Sequence, residues 1–426
     1  MQGPSRYRVC GDKSIVVLVV AMAALLTIAV GGCCAPKKGT GKEYDRALPS
    51  GTAALVPVPE SEYPDFTQIY STDPATIDAL DQSLSYFSKP SSHKYFPYQT
   101  LDRAIEHETQ VASLERLRAI YLEAGDAEEF ATRIKQDFNV YRSVGWDAAS
   151  GEVLFTGYYT PIFEGRVKPD AKFRYPLYRR PADLVTDEEG QPLGRRTAEG
   201  RVVSYYSRSE IETRGLLRGS ELVYLADPFQ VYIVHVQGSA RIQLPDRMMY
   251  VGYAGKTDRA YKSIGTELVN RGKFAKSDLS LKRLIEYFRA HPEEVDEVLA
   301  LNESYVFFTD TAEAGPFGSI GVAVTPEHSI ATDKQVFPRG GPVIAVTSLP
   351  TPTRGGDLLT SQPHTGLYFD QDTGGAIKSA GRADLYLGVG PEAENIAGHV
   401  KNEGRLFYIF LKEEQVAAAA LRPDGS

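Results

Sequence analysis

Three stretches in the first half of the chain repeat apolar residues at helical spacing. From Pro74 to Phe87, the residues Ile77, Leu80, Leu84 and Phe87 recur three or four apart, with Pro74 near the start. Leu101 to Leu122 repeats the pattern through Ile105, Leu114, Leu117 and Tyr121, and Glu128 to Val140 predicts a third helix. These stripes are core-facing. From Gly151 the pattern shifts towards aromatic and β-branched runs with turns between them. Val153–Arg166, RYPLYRRP, VVSYYSR, Val231–Leu244 and the start of Met249–Gly265 predict strands. A helical interval follows around Leu281, Leu284, Ile285 and Phe288. From about Ser304 the runs SYVFFTD, SIGVAVTP, SIATD, VFPRGGPVIAVTSL and RLFYIFLK are short, apolar and separated by Gly and Pro. Many short strands with frequent glycines argue for a barrel rather than an open parallel sheet. The tail after Glu413 is Ala-rich and is expected to fray.

Charge and termini narrow the picture. Arg6, Arg8 and Lys13 precede an uncharged apolar run, Ser14 to Val30, which ends in Gly31-Gly32-Cys33. Small residues before a cysteine, directly after such a run, read as a lipoprotein signal over residues 1–32 with Cys33 as the lipidated mature N-terminus. The competing reading is a transmembrane anchor, since the run is 17 residues long. Residues 33–65 carry Pro, Gly, Lys and small residues without periodicity and read as a linker. Beyond Cys33 only Cys34 remains, which excludes an internal disulfide or a thiolate metal cluster. The net charge of −8 becomes about −10 without the signal, and no long basic run occurs, so nucleic acid is not an expected partner.

The search for chemistry ends at carboxylates. The seven histidines form no HExxH and no close pair, which argues against zinc; His235 reads as a structural histidine on an apolar strand. GxSxG, GxxxxGK[ST] and GxGxxG are missing from the chain, so neither a serine esterase nor a nucleotide cofactor is indicated. Gly366 to Leu387 holds Asp370, Asp372 and Asp384, with Gly374, Gly375 and Gly381 between the last two aspartates. It reads either as a turn-rich β segment with solvated aspartates or as acids on a backbone a substrate can approach. Cleaving a glycosidic bond needs an acid that keeps its proton near neutral pH, which burial and a like-charged neighbour promote. Metal binding by the three aspartates is a competing idea, but hard cations usually draw on more closely spaced oxygens.

Six motifs occur in one order: FTGYYTP (Phe155–Pro161), VQGSARIQL (Val236–Leu244), VGYAGKTDRAYKSIG (Val251–Gly265), NESYVFF (Asn302–Phe308), ATD (Ala331–Asp333) and DTGGAIKSAGRADLY (Asp372–Tyr386). Together they resemble the membrane-bound lytic murein transglycosylase A family, from about Tyr70 to Lys412. The resemblance implies an α+β, mainly β fold. A double-psi β-barrel would comprise residues 66–160 and 305–415, with a second β domain, 161–304, inserted in it, a groove between the two and a tail at 416–426. It implies non-hydrolytic cleavage of peptidoglycan between N-acetylmuramic acid and N-acetylglucosamine, giving 1,6-anhydromuramyl ends without a cofactor. By motif, Asp384 would be the acid and then the base, with Asp372 beside it. Thr156, Tyr158, Gln237, Ser239 and Lys378 would contact the glycan strand. Ala240 and the run Thr257-Asp258-Arg259 depart from the family pattern and put local sugar contacts in doubt. A lipid anchor at Cys33, followed by Cys34 rather than aspartate, favours the outer membrane facing the periplasm, within reach of a cell-wall synthesis or hydrolysis complex. The alternatives are a peptidoglycan-binding lipoprotein without catalysis and a hydrolase using Asp372 and Asp384 as two carboxylates.

Overall fold

The computed structural model describes residues 42–188, 190–275, 279–312, 315–352 and 359–420. The expected signal, its apolar run and Cys33 lie outside them, and no helix among the described residues is long and apolar enough to cross a membrane. From Glu43 onward the chain forms one compact unit.

Three helices come first: α1 (Pro74–Phe87), α2 (His107–Glu123) and α3 (Ala127–Asp137). The Asp73 carboxylate accepts from Ala75 N–H with Pro74 in the first turn, and the Asp126 carboxylate accepts from Glu129 N–H, so both starts are capped. Their stripes, including Leu80, Phe87, Leu114, Leu117, Phe130 and Ile134, pack on Ile344, Leu367, Phe369, Phe407 and Ile409 of the later strands. The second helix starts six residues later than its pattern predicts, because Leu101 is 65% exposed and outside the stripe.

The strands of the two large sheets, in chain order, are β1 (Leu55–Pro57), β2 (Phe138–Ser143), β3 (Val153–Thr160), β4 (Ile162–Arg166), β5 (Tyr175–Tyr178), β6 (Glu221–Leu225), β7 (Ser239–Gln243), β8 (Met248–Lys256), β9 (Val306–Asp310), β10 (Ser329–Ala331), β11 (Pro342–Pro352), β12 (Leu359–Asp372), β13 (Arg382–Val389) and β14 (Lys401–Leu411). One sheet runs β1-β2-β14-β11-β12-β10-β13-β3, and a further pairing of β3 with β14 closes six of these strands into a barrel. Two pairings are parallel, β10 with β12 and β13 with β3. The strand β14 shows why closure suits this sequence. Leu406, Tyr408 and Phe410 serve one core while Phe407, Ile409 and Leu411 serve the other, so both faces are buried.

A second sheet, β9-β8-β7-β4-β6-β5, is formed between β3 and β10 of the barrel chain. Its strand β9 is the SYVFFTD run, so the return crossing to the barrel follows Asp310 rather than falling near 305. The fold is α+β with a barrel and an inserted β domain.

Several expectations are corrected. Val231–Leu244 is not one strand: Pro228–Gln237 forms α4, Gly238 ends it with φ 78°, and only then does β7 begin. Phe229, Val231, Tyr232, Ile233, Val234 and His235 are all buried, so this helix has no polar face to betray its period. The Asp227-Pro228 pair is its local start signal: Asp227 accepts from Phe229 N–H. VVSYYSR gives only a two-residue strand before a helix at Arg208–Arg214, which Ser207 and Glu210 cap reciprocally. SIGVAVTP is turns and an isolated bridge rather than a strand. Within the predicted linker, Leu55 is fully buried and β1 pairs with β2. The Ala-rich tail is helical over Glu413–Ala420, with Val416 packed against the core.

Candidate active site

Pairing register assembles the site. Asp384 on β13 lies beside Thr156 of β3 and Ala331 of β10, and Ala331 lies beside Asp372 of β12. Along β3, Phe155 and Tyr159 join an apolar core, which leaves Thr156, Tyr158 and Thr160 on the opposite face. Along β13, Ala383, Leu385 and Leu387 join that core, leaving Arg382, Asp384 and Tyr386 opposite. Strict alternation on β12 would set Asp372 on the same face as Asp370. A β-bulge intervenes: Ile330 pairs with Asp370 but the next residue, Ala331, pairs with Asp372. The extra residue, Gln371, re-aims Asp372 to the face of Asp384. Gln371 is held there by its own bonds, donating to Ala79 O (2.7 Å) and Ser83 Oγ (2.9 Å) and accepting from Ser329 Oγ (2.6 Å).

The three aspartates have different surroundings. Burial pushes the Asp384 carboxyl up to about 6; Arg382 and Thr156 pull it down, and Asp372 pushes it further up. Asp384 Oδ1 and Thr156 Oγ1 are sealed from solvent, yet neither completes a hydrogen bond of normal geometry. Asp372 is raised by burial, but three donors counter this: Tyr158 O–H (2.9 Å), Ser319 N–H (2.9 Å) and Thr373 N–H (2.8 Å). Asp370 faces the other way, wholly buried, with Lys334 as ion partner and with Thr332 Oγ1 and Tyr408 O–H donating at 2.7 Å each. It is neither a solvated turn residue nor free to join the other two on a metal. The buried ATD residue Asp333 accepts from Ser379 N–H at 2.7 Å and so ties down the loop before β13.

Tyr158 lies against Tyr386 with ring centroids 5.0 Å apart, and Tyr386 O–H shares a hydrogen bond with Thr160 Oγ1 at 2.9 Å. Gln237 and Ser239 connect the two parts of the fold. Gln237 Oε1 accepts from Tyr159 N–H (3.0 Å), and Ser239 Oγ lies 3.2 Å from Thr160 Oγ1. Lys378 is exposed on the loop between Asp372 and Asp384. The pattern reading passed over Arg382 and Tyr386, although they stand two residues either side of Asp384 and alternation alone places them on its face.

The glycines divide. A Cβ on Gly381 would stand 2.5 Å from Trp146 Cβ and 2.6 Å from Tyr44 O, so that glycine serves close packing. Gly374 is also crowded, 2.9 Å from Ile377 Cγ1. Only Gly375 fits the idea of an approachable backbone: it is exposed, with Tyr261 Cβ at 3.9 Å. The divergent Thr257-Asp258-Arg259 run is structural. Thr257 Oγ1 accepts from Tyr305 N–H (3.0 Å), Asp258 from Tyr205 N–H (2.7 Å), and Arg259 Nε donates to Tyr205 O (2.8 Å).

The histidines hold one surprise. His93 and His107 stack at 3.6 Å with Glu108 beside them, a close pair that spacing did not reveal. Their planes are 17° apart, so their in-plane lone pairs run side by side rather than converging on one ion. His235 is on α4, not a strand, and accepts from Arg208 at 3.0 Å, which with burial holds it neutral.

Residues 154–309 match the MltA specific insert domain and residues 328–410 match the 3D domain. The membrane-bound lytic murein transglycosylase A of Vibrio cholerae is 32% identical over 348 residues, covering 79% of this chain and 87% of that one. The chain belongs to the membrane-bound lytic murein transglycosylase A family. The Escherichia coli K12 member is 34% identical over 262 residues, 61% of this chain and 66% of that one. Among solved structures, the membrane-bound lytic murein transglycosylase of Agrobacterium tumefaciens superposes with TM-score 0.68 at 28% identity, covering 87% of this chain and all of that one. Escherichia coli MltA with bound chitohexaose superposes with TM-score 0.62 at 26% identity, covering 87% and 97%. Within this family the barrel is a double-psi barrel.

Proposed function

We propose that this family member cleaves the β-1,4 bond between N-acetylmuramic acid and N-acetylglucosamine without water, using Asp384 first as acid and then as base. The enzyme class follows from family membership: lytic murein transglycosylases are peptidoglycan-cleaving lyases. The observation that carries the residue assignment is the contrast between the two aspartates. Asp384 is pushed up to about 6 with one sealed oxygen unbonded, while three donors grip Asp372. Such a divided pair supplies one proton carrier and one fixed neighbour. Asp384 gives its proton to the glycosidic oxygen as the bond to the anomeric carbon breaks. It then takes the proton of the muramyl 6-hydroxyl as that oxygen bonds to the anomeric carbon. The product is a 1,6-anhydromuramyl end, and the carboxyl regains its proton.

Thr156, Tyr158, Gln237, Ser239 and Lys378 are proposed as glycan contacts; Thr156 and Tyr158 share the face of Asp384, Gln237 and Ser239 bond to Tyr159 and Thr160 beside it, and Lys378 is exposed on the loop that leads to Asp384. Chitohexaose bound to the Escherichia coli relative supports a glycan-strand ligand. A lipid on Cys33, holding the enzyme to the outer membrane on its periplasmic side, extends the membrane-bound description of the relatives. Work within a cell-wall synthesis or hydrolysis complex is part of the same proposal. Mass spectrometry of digested sacculi is the test: anhydromuropeptides are expected. New reducing ends would favour the two-carboxylate hydrolase, and sacculi bound but undigested would favour the non-catalytic binder. Asp384→Asn should lower turnover by roughly 10²- to 10⁴-fold while retaining glycan binding, because shape and polarity persist and only the transferable proton is lost. An Asp384→Asn protein still releasing anhydro products at the native rate would sink the assignment.

A further inference from the structure

The segment that returns from the inserted sheet to the barrel does more than connect them. Between Asp310, which ends β9, and Ser329, which starts β10, residues 316–324 fold into a small hairpin. Phe317 bridges Ala323, Val324 N–H donates to Pro316 O (2.9 Å) and Gly318 N–H donates to Val322 O (2.8 Å). The tip is a β-turn over residues 318–321, closed by Gly321 N–H on Gly318 O at 2.9 Å. Ile320 and Val322 are buried in the core shared with α1, and Lys89 Nζ donates to Gly321 O at 3.0 Å, so the turn has a fixed place.

That place is the bulge of β12. Ser319 N–H donates to Asp372 Oδ1 at 2.9 Å, and Ile320 N–H donates to Gln371 O at 3.4 Å. A Cβ on Gly318 would stand 2.3 Å from Gln371 O, so only glycine lets the turn close on the bulged residue. The turn thus grips both residues whose parity sets the face of Asp372. A backbone N–H held in this way neither titrates nor swings aside, unlike the Tyr158 hydroxyl that shares the same carboxylate. The other titratable groups acting on Asp372 are Tyr158 on β3, Lys334 after β10, and Asp384 and Tyr386 on β13. We propose that the turn 318–321 is a positioning element for the proton transfer, closing on the bulge through Gly318 and fixing the Asp372 carboxylate on the face of Asp384 through Ser319 N–H. This rests on the reading of Asp384 as proton carrier. It makes the crossing between the two parts of the fold a part of the site, acting through Asp372.

The test is the pH profile of kcat/KM on peptidoglycan strands, measured on the full-length protein and its variants. Position 319 is the second residue of the turn, where the fixed φ of proline is favoured, so Ser319→Pro keeps the turn and removes only the donor. Gly318→Ala instead wedges the turn off the bulge. Without the donor Asp372 takes up a proton more readily and pushes less on Asp384. In both variants the alkaline limb should therefore move to lower pH, and kcat/KM at pH 7 should fall roughly three- to ten-fold. Gly194→Ala is the control for lost stability alone. Its Cβ would stand 2.2 Å from Val203 O in the separate three-stranded sheet between residues 184 and 203, and its alkaline limb should stay with that of the native protein. Combined with Asp372→Asn, Ser319→Pro should add nothing to the shift that Asp372→Asn gives alone. A native alkaline limb in Ser319→Pro and Gly318→Ala would overturn the positioning role. So would an equal shift in Gly194→Ala, or a Ser319→Pro shift that persists undiminished in the Asp372→Asn protein. Native-rate turnover by Asp384→Asn overturns the proton-carrier reading instead.

Discussion

At the scale of single residues, Asp384 couples stability to function with opposite signs. Its folded pKa of about 6 stands above the ordinary value of 3.8, so the native state favours the neutral acid. The stability this contributes is complete below the unfolded value and is lost as pH rises through about 6. At pH 7.5 the native fold therefore holds a carboxylate against its environment. Asp384→Asn should raise the free energy of denaturant unfolding at pH 7.5 by on the order of 2 kcal/mol and give no gain at pH 4. In the proposed mechanism the same group acts in its protonated form, so kcat/KM should fall on the alkaline side of about 6. Tyr158 tunes this limb indirectly. Its hydroxyl is one of the donors holding down the pKa of Asp372, whose charge in turn raises that of Asp384. In Tyr158→Phe, Asp372 is neutralised more readily, so the alkaline limb should move to lower pH and activity at pH 7 should fall roughly three- to ten-fold. Measured pH profiles of Tyr158→Phe and Asp372→Asn should shift in the same direction.

At the scale of elements, the loop between β12 and β13 shows how alike glycines differ in consequence. Gly381→Ala drives a methyl into Trp146 and the Tyr44 carbonyl and should cost about 1–3 kcal/mol by thermal or denaturant unfolding. Gly375→Ala meets nothing closer than 3.9 Å and should hold stability within about 0.5 kcal/mol, while raising KM if the glycan strand runs over this exposed backbone as proposed. The helix α1 was legible to the residue, since its stripe, Pro74 and the Asp73 cap all agree. The helix α4 was not, because a short, mostly buried segment whose exposed position is itself apolar (Val236) shows β-branched composition and no period. Alternation in GRADLY was enough to foresee that Arg382, Asp384 and Tyr386 share a face. Alternation alone would set Asp372 on the face of Asp370, and one bulged residue reverses that parity.

At the scale of the molecule, the barrel holds the aspartates and the inserted sheet meets it through Gln237 and Ser239. Four strands, β12, β10, β13 and β3, hold Asp372, Ala331, Asp384 and Thr156 in a single row. Asp370 with Lys334 is buried beneath this row, a pair whose removal on one side would leave an uncompensated charge. The proposed tether predicts a separate outcome. Cys33→Ala should leave the protein unlipidated and shift it from the membrane to the soluble fraction on cell fractionation, with peptidoglycan cleavage in detergent unchanged. Unaltered membrane association of that variant would count against the lipid.

By itself the sequence determined the elements whose periodicity meets a cap or a turn and the ordered motifs whose resemblance to the family implies Asp384 as the candidate proton carrier. These are properties of residue identity and local spacing. The tertiary structure decided what depends on register: the bulge that re-aims Asp372, the burial that raises Asp384, and the Lys334 partner that takes Asp370 out of the chemistry. Each of those pairs residues tens to more than a hundred positions apart or turns on one added residue in a strand, and neither is visible in a pattern of period two.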